Sequence, residues 1–280
     1  MAEIRLCAFA DEAGDSLADQ ITALKENGIG LLELRSIAKK NVTKFTNEEV
    51  KEYKKQLDDA GIAVWSIGSP IGKIQIDGDF EADLDLCKRT VEIGEMFGAK
   101  MLRMFSFYGT NGDSAYRDTV LERLEKYIET AKGSGIRLCH ENEKGIYGDN
   151  AARCLEILTA LPDLGCVFDP ANFIQCHQDT MEAWEMLEKF VVYGHIKDCL
   201  EDGSVVPPGK GIGNLPAYLA RFKKMGGEVL TLEPHLLVFS ALKDLEQKGE
   251  ESKVGLYKFA SKREAFDCAV NSLKQILKEI

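Results

Sequence analysis

Eight short apolar runs recur along the chain with amphipathic segments between them, and this rhythm constrains the fold more than any other feature. They are IRLCAFA from Ile4, LLELR from Leu31, AVWSIG from Ala63, KMLRMFSF from Lys100, IRLCHEN from Ile136, CVFDPAN from Cys166, VVYGHIKD from Val191 and EVLTLEPH from Glu228. Runs with so little alternation suit strands buried on both faces of a parallel sheet. Gly28, Gly61, Gly98, Gly135, Gly165 and Gly227 each precede a run by one to three residues, as expected where a helix ends in a left-handed glycine and feeds a strand. The intervening segments read as helices. Thr46 and Glu49 form a capping-box pair ahead of Val50, Tyr53 and Leu57, and Ser16 precedes a stripe of Leu17, Ile21 and Leu24. Tyr116, Val120, Leu124 and Ile128 make another stripe, and Ala269, Leu273, Ile276 and Leu277 the last. Eight strand–helix units in 280 residues predict an α/β fold, a (β/α)8 TIM barrel, as one domain over 1–280. A doubly wound open sheet is the alternative. The stretch 236–262 is too long for a plain connection and predicts a loop insertion acting as a lid or subunit contact.

Composition narrows the partners. With 35 Lys and Arg against 46 Asp and Glu, the formal charge of −11 disfavours a nucleic-acid or anionic-membrane surface. No apolar run approaches the ~20 residues of a membrane span, and the start lacks a signal-peptide core, so a soluble cytoplasmic protein is expected. The eight cysteines show no CxxC and no zinc-finger spacing, so all are expected to be free.

Chemistry is expected at the carboxyl ends of the strands. The fifth to eighth runs end in His140-Glu141-Asn142, Asp169-Pro-Ala-Asn172, His195-Ile-Lys197-Asp198 and Glu233-Pro-His235. Glu141, Asp169, His195 and Glu233 would therefore crowd one quadrant of a barrel mouth. Three carboxylates converging without a cation repel one another. One divalent ion resolves the conflict, and this donor set suits Mn²⁺ foremost, with Mg²⁺, Co²⁺ or Zn²⁺ also accommodated. Taken singly, each acid could equally cap a helix or pair with a lysine.

In their order and placement, HENEK at 140–144, FDPANF at 168–173, GHIKD at 194–198, PPGKGIGN at 207–214 and LEPH at 232–235 resemble the sugar phosphate isomerase/epimerase family of the xylose-isomerase-like TIM-barrel superfamily. IGSPIGK at 67–73 supports the resemblance, which spans essentially the whole chain. It implies metal ligands at Glu141, Asp169, His195 and Glu233, and acid/base roles for Glu141 and Glu233. Many members carry Asp-x-x-His after the sixth strand, where this chain has Asn172, whose amide orients a hydroxyl but cannot shuttle a proton. His177 reads as a surface histidine.

Further substrate-binding candidates are Asn172, Lys197, His235, Arg103 and Lys73. Lys197 and His235 each follow a ligand candidate by two residues and so share its inward direction. Arg35 and Arg103 sit in apolar runs and need carboxylate partners if buried. His140 is expected to point outward, beside Glu141. Trp65 and Phe105 read equally as a wall for a sugar ring or as ordinary core. The glycine-rich 207–214 segment is neither a Walker loop nor a dinucleotide fingerprint, and reads as a mobile loop beside the metal.

The expected activity is that of a divalent-metal-dependent sugar isomerase or epimerase, in which the paired glutamates abstract and return a proton next to a carbonyl. The substrate is a small carbohydrate or keto-sugar derivative, and a homo-oligomer is left open. A dehydratase or lyase on an inosose or keto-sugar is the alternative. A glycosidase using Glu141 and Glu233, an endonuclease IV-like nuclease and a non-catalytic sugar-binding protein rank below it. Four histidines and the acidic charge argue against the nuclease.

Overall fold

The computed structural model describes residues 4–237 and 253–280. The eight apolar runs form the barrel strands β1 (Arg5–Ala8), β2 (Leu31–Leu34), β3 (Ala63–Gly68), β4 (Met101–Met104), β5 (Arg137–Glu141), β6 (Gly165–Phe168), β7 (Val191–Ile196) and β8 (Val229–Leu232). Neighbouring strands pair in parallel all the way round, and β8 closes on β1 with Arg5 opposite Val229 and Ala8 opposite Leu232. The fold is thus a TIM barrel, and the open-sheet alternative falls with closure. The register slips at two places, between Leu32 and Glu33 on β2 and between Cys166 and Val167 on β6.

Local chemistry sets the connections as the sequence suggests. Thr46 and Glu49 form the full capping box of the helix Asn47–Asp59, and Ser16 caps Leu17–Glu26. Gly28, Gly61, Gly98 and Gly135 have φ between +63° and +76°, the left-handed turn out of a helix. Gly165 and Gly227 do not adopt this conformation. Glycine is needed there for space, since a Cβ at 165 would lie 2.7 Å from the Cys139 sulfur and one at 227 would strike the Phe222 ring. All eight cysteines are free.

The two largest apolar clusters fill separate spaces. The larger core lies between strands and helices, and the last helix, Lys262–Glu279, buries Ala269, Leu273 and Ile276 in it. The smaller occupies the amino-terminal half of the barrel interior: Cys7, Cys139, Val167, Tyr193 and Val229, with Leu31, Trp65, Met101 and Val192 against them. Trp65 therefore belongs to the floor, where Arg5 lies 5.6 Å from its ring centroid. Of the expected 236–262 insertion, residues 238–252 lie outside the described residues. Past them, the Lys253 carbonyl accepts from Val205 N in the short hairpin that follows β7. Among the described residues, no helix is long and apolar enough to cross a membrane.

Candidate metal centre and its surroundings

Because side chains alternate along a strand, residues two steps past the floor point into the mouth. Glu141 ends β5, Asp169 follows β6, His195 lies near the end of β7 and Glu233 follows β8. One ligand atom from each lies within 4.8 Å of the others, and all four residues are buried. The His195 Nδ1 sits 2.9 Å from Glu141 Oε1 and 3.0 Å from Glu233 Oε2. Burial opposes an imidazolium here, but Glu141, Glu33 and Glu233 outweigh it and raise the His195 pKa well above its ordinary value.

Asp169 shows the tension among the acids. Its Oδ1 caps the helix Pro170–Gln175 by accepting from Asn172 N. Its Oδ2 is buried and accepts no hydrogen bond among the described residues, although Lys197 Nζ stands 3.0 Å away as an ion-pair partner. Burial, with Glu141 and Glu233 adding to it against Lys197, pushes the Asp169 pKa to about 7. Burial also favours neutral Glu233, yet Lys197, His195 and His235 hold that carboxyl well below its usual range.

Two arginines brace the glutamates from the far wall. Arg35 binds both oxygens of Asp11 at 2.9 Å, Glu12 at 3.1 Å and Glu233 Oε1 at 3.1 Å. Arg103 binds Glu141 Oε2 at 3.1 Å and lies 3.5 Å from Glu233 Oε1. Both guanidinium groups lie over the Phe9 ring, at 4.2 and 5.2 Å. The pairing of Arg35 and Arg103 with mouth carboxylates, favoured on the cost of burying them, is what the structure contains.

The other named residues distribute around this cluster. Lys73 pairs with Glu143 at 2.9 Å and lies 4.4 Å from the Phe105 ring centroid. Burial would raise Glu143, but Lys73, Lys197 and Lys144 bring it down to about 2. Gly72, just before Lys73, has φ +81° and packs so close to Phe105 that a Cβ would lie 2.1 Å from its carbonyl oxygen. Its N–H donates to the buried Asp83 carboxylate, which also accepts from Tyr127.

Asn172 donates its amide to the Asn142 carbonyl, while Asn142 in turn exchanges two hydrogen bonds with the Asp169 backbone. His235 leaves strand geometry at φ +45°, held by its N–H to Glu12, and its Nε2 lies 3.4 Å from Glu233 Oε1. His140 points outward to Ser106 at 2.9 Å, and His177 is exposed.

The glycine-rich loop differs from its expected mobile form. The Asp198 carboxylate accepts from the amides of Gly209, Gly211 and Gly213, and any Cβ at 211 or 213 would press on Asp198. The loop is pinned by one buried acid.

Around the cluster, the buried Asp11, Glu12 and Glu33 and the partly buried Glu143 also escaped sequence reasoning. Asp11 and Glu12 follow the first apolar run in FADE, and Glu33 interrupts the apolar run LLELR. An acid inside such a run is the signal that would have found Glu33. Its Oε2 lies 3.2 Å from His195 Nε2, while Oε1 accepts from Tyr193 at 3.0 Å and Ser66 at 3.2 Å.

The donor set fits a divalent cation. Glu141, Asp169, His195 and Glu233 offer hard oxygens and one imidazole, and Asp169 Oδ2 is a buried oxygen in need of a donor. Asp11, Glu12, Glu33, Glu141, Glu143, Asp169 and Glu233 stand among Arg35, Arg103, Lys73 and Lys197, with Lys144 beside Glu143. Carboxyl groups therefore outnumber the lysines and arginines of the mouth, and burial raises Asp169 to about 7 and Glu12 to about 8. A second group, Glu12, Glu233 and His235, is also close enough to share an ion, but Arg35 already binds both of its acids.

The sequence model of the xylose isomerase-like TIM barrel matches residues 21–248. The chain belongs to this family. No curated protein matches it in sequence. Among solved structures, a D-allulose 3-epimerase from Methylomonas sp., in complex with D-allulose, is similar with a TM-score of 0.76 at 14% identity, covering 100% of this chain and 98% of that one. The IOLI protein with a zinc atom bound has a TM-score of 0.73 at 15% identity, over 99% of each chain. The probable 3-DHS dehydratase AsbF from Bacillus anthracis, involved in petrobactin synthesis, has a TM-score of 0.72 at 16% identity, over 98% of this chain and 99% of that one. At these identities the similarity is one of fold, and members of one barrel family host differing chemistries.

Proposed function

We propose that this member of the xylose isomerase-like family is a divalent-metal-dependent epimerase or isomerase of a small carbohydrate or keto-sugar. The observation that carries the reading is the approach of Glu141 and Glu233, from separate strands, to one nitrogen of His195 at 2.9 and 3.0 Å. Glu141, Asp169, His195 and Glu233 would hold one ion, Mn²⁺ foremost, and the zinc-bearing structural neighbour is in keeping with such a site. When bound, the ion supplies Lewis-acid polarisation of a carbonyl, which acidifies the neighbouring C–H.

The chain's own residues do the rest. One of Glu141 and Glu233 takes the proton and the other returns it. Return from the opposite face epimerises the carbon, whereas return to the adjacent carbon interconverts aldose and ketose. Arg103 fixes the outer oxygen of Glu141, and Arg35 that of Glu233, so each carboxylate keeps its inner oxygen toward the site. Lys73, Lys197, Arg103, Asn172 and His235 are the groups proposed to meet substrate hydroxyls and carbonyls. With Asn172 in place of histidine, no imidazole at that position can relay the proton, which leaves acid/base work to the glutamates.

Dehydration is the second reading, favoured by the resemblance in fold to the probable dehydratase. It begins with the same proton abstraction and ends in loss of a β-hydroxyl. The test is metal analysis followed by an assay on ketohexoses and inosose-type substrates. About one divalent ion per chain should be present, activity should vanish with a chelator and Mn²⁺ should restore it. Full activity after complete metal removal would overturn the reading. Product analysis separates an epimer from a dehydrated ketone.

A further inference from the structure

We infer that Glu33 is a positioning residue, which sets the imidazole of His195 so that Nδ1 presents its lone pair to the metal. The inference rests on the metal reading above. His195 is wholly buried between Phe9 and Tyr193, whose rings meet it edge-on at centroid distances of 5.3 and 5.6 Å. Packing thus fixes the ring plane, while hydrogen bonding decides which nitrogen carries a proton. A carboxylate can only accept, so Glu33 Oε2 at 3.2 Å from Nε2 requires the hydrogen at Nε2. Glu141 and Glu233 face Nδ1 in the same way and accept a proton there while no ion is bound; an ion held between them would take that proton's place, leaving the lone pair at Nδ1 and the proton on Nε2.

Glu33 is itself fixed. Tyr193 and Ser66 both donate to its Oε1, their hydroxyls stand 3.1 Å apart, and all three side chains are buried. The Glu33–His195 pair crosses the barrel from β2 to β7, and the slip in strand register falls between Leu32 and Glu33 itself. Such outer carboxylates orient a ligating histidine and raise its basicity, and losing one typically weakens metal binding by roughly 10–100-fold.

The experiment compares Mn²⁺ affinity of the unaltered protein and Glu33→Gln by calorimetry, with near-ultraviolet circular dichroism reporting that the variant is folded. Glutamine keeps the size but removes the charge, so affinity should fall roughly 10–100-fold with an unchanged spectrum. Equal affinities overturn the inference and leave the metal reading intact. Failure of the unaltered protein to bind Mn²⁺ overturns both. A second measurement needs no variant. In the ¹⁵N–¹H spectrum of Zn²⁺-loaded unaltered protein, His195 should show a slowly exchanging proton on Nε2 and none on Nδ1. The reverse pattern contradicts the assignment even if the glutamine variant does not fold.

Discussion

The two halves of the barrel interior are built from the same strands and differ almost completely in chemistry. Cys139 lies in the apolar floor, and Glu141, two residues on, lies in the mouth; Val167 and Asp169 repeat the pattern, as do Tyr193 and His195. A step of two residues, about 7 Å, takes each strand from packing to ionised groups. The floor is held by burial of apolar surface. In the mouth, carboxylates outnumber the lysines and arginines around them, and burial makes every such charge costly unless its partners are in place. The difference teaches that stability and chemistry can be perturbed separately on one strand.

The largest expected effect lies in the mouth. Glu141→Gln or Glu233→Gln removes a titrating group at nearly constant size, so turnover should fall by about 10²–10⁴-fold or more. The melting temperature should fall as well, since glutamine leaves Arg103 or Arg35 short of a buried anionic partner, but the variant should stay folded at the assay temperature because the floor is untouched. A steady-state assay paired with a thermal scan reads both, and a variant that melts early while keeping its turnover would erase the distinction.

A smaller and sharper contrast comes from Val167 on β6 and Asp169 just past its end. Asp169→Asn keeps the cap on the following helix but loses the charge, so metal affinity should fall tenfold or more with little change in unfolding free energy. Val167→Ala should do the opposite, costing about 2 kcal/mol of stability and leaving metal affinity unchanged. Denaturant titration and calorimetry on the pair would blur the comparison if both variants lost both properties.

Much of this was legible in the sequence because strands buried on both faces leave a run of apolar residues, and because the carboxyl ends of four such runs carry Glu141, Asp169, His195 and Glu233 in a fixed order. What escaped was non-local. Glu33 meets His195 across the barrel, Arg35 gathers Asp11, Glu12 and Glu233 from segments far apart in sequence, and Asp198 pins a loop that glycine content alone suggested to be mobile. Strand alternation gives the direction of a side chain but not its partner. His235 shows a further limit, since its left-handed backbone interrupts the alternation that had placed it.

A contrast in pH dependence tests the wall behind the mouth. Burial depresses the His140 pKa from 6.5 to about 3, so this imidazole folds neutral. Its contribution to stability is full above the unfolded value near 6.5 and is lost as pH falls toward about 3. His140→Gln should flatten that limb of the stability curve, measured by denaturant unfolding from pH 7 to pH 4, while the neutral-pH metal affinity stays unchanged. An equally steep acid limb in the variant would remove His140 from the account.

The central claim is that the mouth moves a proton to and from carbon, and turnover in D₂O tests it most directly. With a keto-sugar that the metal-loaded protein converts, deuterium should appear at the carbon next to the carbonyl, and exchange should fall by orders of magnitude in Glu141→Gln and Glu233→Gln. Complete turnover without any deuterium in the product would mean that hydrogen travels as hydride, and would contradict the assignment of the glutamates as bases.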